Sequence, residues 1–474
     1  MGVLQATRSL DPVVSFGSGT AGAIELSAIY DTLMRFDATG QVYEPWVARS
    51  LEPNDDFSEW TLELRDGVRF GNGDPLTTQA VKASIERHQD PANGSVALRE
   101  VAQITEMRIV DDDTMVFVLA NPWGTFPFVL ADSAGMITNP AVLEELGKDA
   151  FGLDPVGAGV GPFEVERYVP NEELVLKAKD DYWRGAPCLE TLRFIDADDQ
   201  ATLDSLRKGD IDLAFIRTPS LIAEAKQEFE HFADPNYLGW MLAMNSTPGR
   251  PLADVRIRQA VAHAVDAEAY NQRVYDGKGI ASTVIVPEPY PMTPGVPGPA
   301  LDPARARDLI AQARADGWDG RVSVIANTPS LVDAGLTIEA MLEAVGIDVE
   351  LELLTPQEGS RRVFVDRDYD INIGSAGATN ASPIVRLQRF FQTGNTFTGF
   401  SDPQFDALLN DLRIASTTEE MKAALRPIQE RWNEVIPSHG LQVAENLMAW
   451  HDGVHGLILN GTSTIFFDEA WVER

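Results

Sequence analysis

The sequence predicts a mixed α/β protein with two or more lobes and a mainly parallel sheet. Three observations carry that expectation. Strand-like and helix-like segments alternate as βαβαβ between Arg321 and Ser375. Period-two apolar patterns mark further strands near Trp60 and between Met107 and Leu119. A chain of 474 residues, 44% of them hydrophobic, also holds enough apolar material for more than one core.

Taken in chain order, Trp60, Leu62 and Leu64 alternate with Thr61, Glu63 and Arg65, the pattern of a half-buried strand. Met107 and Ile109 lead through Asp111, Asp112 and Asp113 into Met115, Phe117 and Leu119, which reads as a hairpin. Its acidic tip lacks the spaced ligands, glycine and terminal glutamate of a calcium loop, so it is expected to be a solvated turn. Val255 to Tyr275 reads as helical, with Ile257, Val261, Ala264 and Val265 on the apolar stripe and His263 off it. Seven prolines fall between Pro287 and Pro303, a composition that suits a rigid surface crossing.

Val322 to Ala326 is the first strand of the βαβαβ run. Ile338, Met341, Leu342 and Val345 then share a helical face that Gly346 can end. Ile347, Val349, Leu351 and Leu353 alternate with Asp348, Glu350 and Glu352 as the second strand. A polar segment opened by Pro356 precedes the third, marked by Tyr369, Ile371 and Ile373. Right-handed crossovers make such a run a parallel sheet, whose ligands bind beyond the carboxyl ends of its strands. The small-residue segment Gly374 to Pro383 leaves the third strand at that edge.

Seventy-two acidic against 38 basic side chains give a formal charge of −34, which repels a phosphate backbone, so no nucleic acid is expected as a partner. Cys188 is the single cysteine; it excludes an intrachain disulfide and a thiolate metal cluster, and reads as a structural thiol. No apolar run approaches the ~20 residues that span a bilayer, and Met1 to Leu10 lack the regions of a secretory signal. The chain is therefore expected to be either cytoplasmic or a mature part whose export signal or lipid anchor has been removed.

Gly17, Gly19 and Gly22 form G-x-G-x-x-G, yet Gly40, Pro45, Asn54 and Asp55 intervene before any strong strand. A dinucleotide site needs an immediate βαβ unit, so the better expectation is a loop that exposes backbone to another ligand. No G-x-S-x-G elbow occurs, and Cys188 has no neighbouring histidine. His451 and His455 stand four apart, but Gly453 and Gly456 argue against a helix there and no metalloprotease glutamate lies between them. Without a catalytic constellation, a lobed α/β chain points to binding by closure on a small ligand.

Leu10-Asp-Pro12, Ile29-Tyr-Asp-Thr-Leu33 and Pro45-Trp-Val-Ala-Arg-Ser50 resemble the opening of the extracytoplasmic solute-binding proteins of family 5, the peptide and nickel binding components of ABC importers. Trp60 to Phe70, Gly159 to Phe163, Asp181 to Gly185, Gly209 to Asp212, Asn245 with Asp254 to Ala260, Ala264 to Asp266, Leu342 to Ile347 and Gly399 to Asp406 agree in order and spacing. The sequence departs at Thr78 to Val81, where an Asp commonly precedes the Val. It departs again near Thr379, where peptide-binding members often place an Asp that holds the ligand's free amine.

The resemblance implies a two-lobed periplasmic-binding-protein-like fold, type II and cluster C-like, with an extra subdomain. Residues 1–45, 154–242 and 440–474 would form a discontinuous first lobe, 46–153 its added subdomain and 243–439 the second lobe. It implies a non-enzymatic, monomeric importer component, extracytoplasmic, either periplasmic or lipid-anchored at the cell surface. Such a component works with ABC permease subunits and needs no cofactor, since ATP is hydrolysed by partner subunits. The expected solute is a peptide or modified amino acid, with an oligosaccharide, metal chelate or small organic acid left open; a hydrolase or oxidoreductase on a similar scaffold is the alternative of another class. Candidate ligand contacts are Ser18, Gly19 and Thr20 of the glycine-rich loop, Trp240 near a lobe crossing, and Ser375, Gly377, Thr379 and Asn380 of the strand-edge loop. Asn395 and Phe397 join them from another polar turn, and Arg361 as a carboxylate contact whose other reading is a solvated helix face.

Overall fold

The alternation from Glu59 to Leu64 becomes a strand whose Trp60, Leu62 and Leu64 are buried, and Thr114–Leu119 beside it buries Met115, Phe117 and Leu119. These two pair antiparallel at the centre of a four-stranded sheet, flanked by Ala48–Pro53 and Ile104–Ile109. The acidic tip is a turn: Asp111 Oδ1 accepts from the Asp113 and Thr114 amides. The structure, a computed structural model, describes residues 1–3, 9–15, 22–328, 331–461 and 463–473. By contact density the chain forms two compact units, Met1–Asp234 with Asn446–Arg474, and Pro235–Glu445.

In the first unit, strand β1 (Gly2–Val3) runs parallel to both β2 (Thr191–Asp196) and β3 (Leu213–Ile216). Helix α1 (Ala23–Tyr30) is buried along its whole length. Helix α2 (Asp199–Lys208) connects β2 to β3 and ends at Gly209, whose φ of +75° is the left-handed geometry that suits a helix end. Helix α3 (Pro219–Glu228) follows β3, with Thr218 before it.

Strand β4 (Glu230–Met244) carries the chain out of the first unit at Asp234. In the second unit β5 (Arg321–Ala326) lies between two parallel neighbours, β6 (Asp348–Leu353) and β7 (Ile371–Gly374). Helix α4 (Val332–Glu343) follows β5 and buries Ile338 and Leu342 against Val324, Ala326 and Val349 in one core. The βαβαβ pattern is thus present, with its first strand in the middle. Its second connection is a short helix, Pro356–Ser360, closed by a Thr355–Glu358 capping box and continued as a wider turn through Asp366. Strand β7 also pairs antiparallel with β4, Leu242 opposite Ile373.

Helices α5 (Pro383–Phe391) and α6 (Thr418–Val435) bring Phe391 and Trp432 into edge contact at 4.8 Å between ring centroids. Strand β8 (Ser438–Trp450) then returns the chain to the first unit at Asn446 and pairs antiparallel with β3 through residues 447–450. Both passages between units therefore lie inside strands.

Candidate functional site

In a parallel arrangement the strand carboxyl ends share an edge, and backbone groups there are released from the ladder. At that edge of the second unit the chain leaving β7 folds back onto β4. Tyr237 and Ala378 exchange two backbone hydrogen bonds, at 2.7 and 2.9 Å, and the Ala376 amide donates to Leu238 O at 3.0 Å. The Tyr237 hydroxyl, wholly buried, donates to Asn380 Oδ1, and its ring meets Tyr290 edge-on at 5.2 Å. Tyr290 comes from the proline-rich crossing, so that segment braces the site from one side. The loop is built by tertiary contacts rather than left as a free turn.

Four of the expected contacts come together here. Ser375 is exposed, Gly377 adopts φ +66°, Thr379 is half-buried and Asn380 is buried. Gly377 lies against Asn236: a β-carbon added to the glycine would stand 3.8 Å from Asn236 Oδ1. The Asn236 amide nitrogen is buried with no hydrogen-bond partner among the described residues. Leaving a buried donor unmade costs about 1–3 kcal/mol, so an orphan at a ligand edge is a candidate contact. Asn236 was not legible in the sequence, because one polar residue between Pro235 and Tyr237 carries no periodic signal.

The other expected residues are placed elsewhere. Trp240 is half-buried and packs against the core of the second unit. Asn395 is buried in its own turn: its Oδ1 accepts from the amides of Phe397, Thr398 and Gly399, and its Nδ2 donates to Gln392 O and Phe400 O. Phe397 is buried, stacks on Phe364 at 5.3 Å and meets Phe390 edge-on. Arg361 is exposed and pairs with Asp366 at 3.2 Å, whereas Arg362 makes a two-bond contact with Glu352. Ser18, Gly19 and Thr20 lie outside the described residues.

The first unit has polar clusters of its own. Asp31, fully buried after α1, accepts from Trp46 Nε1 at 2.9 Å, the Tyr182 hydroxyl at 2.7 Å and Trp183 Nε1 at 3.2 Å. Burial pushes its pKa up to about 7, and the three donors oppose that rise. Arg184 lies 4.3 Å above the Trp46 ring and pairs with Asp468 at 2.9 Å. This aromatic hub joins the Asp181-Tyr-Trp-Arg-Gly185 block to α1. A second cluster sits where the chain crosses: Asn446 Nδ2 donates to Ser463 Oγ at 2.8 Å, and Ser463 Oγ donates to Asp234 Oδ2. Burial raises the Asp234 pKa to about 7, against the hydrogen bonds from Ser463.

Among the described residues no group of three or more His, Cys, Asp or Glu side chains could hold a metal ion, and no helix is long and apolar enough to cross a membrane. Residues 42–398 match the family described as bacterial extracellular solute-binding proteins, family 5 Middle, and the chain belongs to that family. The glutathione-binding protein GsiB of Escherichia coli (strain K12) is 28% identical over 271 residues, 56% of this chain and 52% of the relative. That match spans only about half the relative's length. The GsiB protein of Salmonella typhi is 28% identical over 444 residues, covering 90% of this chain and 85% of the relative. The solved structure of the periplasmic binding protein AgaA from A. tumefaciens R10, in complex with agropinic acid, matches with a TM-score of 0.80. It is 24% identical and covers 100% of this chain and 98% of its own, a likeness that shows the fold.

Proposed function

We propose that the chain is the substrate-binding component of an ABC importer, and that it captures a small solute with peptide or modified-amino-acid character without breaking any bond. Family membership supports the role, and relatives described as binding glutathione and agropinic acid support the solute class. The observation that carries the reading is the edge beyond β7, where Gly377 bares backbone beside an Asn236 amide nitrogen that has no partner among the described residues. Ser375, Gly377, Thr379 and Asn380, with Asn236, are the proposed ligand contacts of the second unit. Trp240 is proposed as a wall beside them, and Asn395 and Phe397 as supports behind.

Residues 374–383 contain no carboxylate. A ligand end that meets this loop is therefore held as a hydrogen-bond acceptor rather than as a free ammonium, which favours a modified amino acid or blocked peptide. In this reading 1–45, 154–242 and 440–474 form the first lobe, 46–153 its added subdomain and 243–439 the second lobe. Ligand binding shifts the population towards the form that the permease subunits recognise. Mass spectrometry of small molecules that accompany gently purified protein, followed by calorimetry with the compound found, tests the role. Binding without turnover is expected; catalytic consumption of the compound would overturn it.

A further inference from the structure

Parallel strands share their amino ends on one edge as they share their carboxyl ends on the other. In the first unit that edge gathers the residues that precede β2 and β3: Cys188, Leu189 and Glu190 before the one, Asp210, Ile211 and Asp212 before the other. A small antiparallel ribbon, Val454–His455 against Trp471–Val472, stands outside the main sheet and faces them. Between the two lies a cavity of about 600 Å³. All of its lining belongs to the first unit, at the edge opposite to the one where open α/β sheets take their ligands.

The cavity has two chemically distinct parts. Its floor is apolar: Leu192, Phe194, Leu213, Phe467 and Ala470 are buried members of one core. Strand alternation builds that floor, because Leu192 and Phe194 turn inward while Thr191 and Arg193 are exposed. Its rim is acidic. Glu190, Asp210 and Asp212 are exposed, and none of the three forms an ion pair among the described residues. The bases there are already engaged: Arg193 pairs with Glu173 at 2.7 Å, and the Met1 ammonium, which Asp212 attracts, donates to Arg193 O at 2.8 Å. Trp471 completes the rim; it is 43% exposed and lies 4.3 Å from the His455 ring between centroids.

These features select an occupant. An anion would be repelled by three carboxylates. A metal ion needs several ligands converging on one point, and among the described residues no group of three or more His, Cys, Asp or Glu side chains could hold one. The acids therefore surround the mouth without closing on a single centre. A molecule with an apolar body and a positive head satisfies both parts: the body leaves water on the floor, and the head meets the rim and the face of Trp471. The volume falls within the roughly 300–1,000 Å³ of small-molecule sites.

We propose that this cavity is a second binding site, apart from the solute site of the second unit, and that it takes a small organic cation: an amine carried on an aromatic or aliphatic body. The proposal stands without the importer reading.

Cys188 supplies the readout, because the single thiol of the chain is exposed and lines the same cavity. Its reaction with methyl methanethiosulfonate, a neutral thiol reagent, is followed by mass spectrometry of the intact protein. The competitors are tryptamine, tryptophol and indole-3-propionate, which share a ring and differ in charge. Tryptamine at millimolar concentration is expected to slow the reaction by roughly fivefold or more, while the alcohol and the acid leave it nearly unchanged. The double variant Glu190→Gln, Asp210→Asn should raise the half-protecting concentration of tryptamine by roughly fivefold. It should melt with wild type, since both side chains are exposed and unpaired. Equal slowing by all three compounds, no slowing by tryptamine, or an unchanged half-protecting concentration in the double variant would each overturn the proposal and leave the importer reading where it stands.

Discussion

Two asparagines in the second unit show how a structural turn differs from a ligand edge. Asn395 uses both ends of its amide within nine residues, from Gln392 to Phe400, and closes a turn that needs nothing from outside. Asn236 is half-buried on the strand beside Gly377, and its buried amide nitrogen has no partner among the described residues. Both look like isolated polar residues in the sequence. The difference lies in whether the described fold completes their hydrogen bonds, and the incomplete one is the contact proposed for the ligand. The same contrast separates Asp31, whose two oxygens take three donors, from Asp234, which is buried with Ser463 as its partner.

Substitutions can break or sharpen these contrasts. Asp31→Ala strands three donors in the aromatic hub and should cost about 3–5 kcal/mol in urea unfolding. A loss below 1 kcal/mol would mean that the hub is not a structural centre.

Asp234 makes a prediction about pH. Its folded pKa is raised from 3.8 to about 7, so the folded state holds its proton more tightly than the unfolded chain does. This contribution is fully present below pH 3.8 and lost as pH rises towards 7, a span of roughly 4 kcal/mol for that single group. Asp234→Asn should remove that part of the slope in unfolding measured between pH 4 and 8. An unchanged slope would show that the carboxyl is solvated or met by a cation.

Asn395→Ala should destabilise by about 2 kcal/mol, because three backbone amides lose their acceptor. Asn236→Ala should move stability by no more than about 0.5 kcal/mol, since no bond is broken, while weakening ligand binding measured by calorimetry. If the two asparagine variants behaved alike in unfolding, the contrast drawn between them would be wrong.

Much of the second unit could be read before folding. Alternation at Val322, Val349 and Ile371 reports burial on a pleated strand, and the helical face at Ile338 and Leu342 reports the layer that covers it. Those patterns are local, so sequence displays them. It also located the edge loop, because Gly374 to Pro383 must follow the third strand. It could not show that Tyr237 would reach Asn380 across 143 residues, or that the Asn236 amide nitrogen would have no partner among the described residues. Asn395 and Arg361 drew attention as polar groups near glycine or in a basic pair, yet their partners lie within a few residues.

The first unit is completed by residues far apart in synthesis. Strand β3 pairs with residues 447–450, and the Ser27 hydroxyl donates to Ile465 O. A ribosome must therefore add the 211 residues of Pro235–Glu445, roughly ten to forty seconds of elongation, before that unit can close. During that interval the nascent chain keeps the flank of β3 unpaired, which delays its final collapse and leaves an open edge for a chaperone to guard.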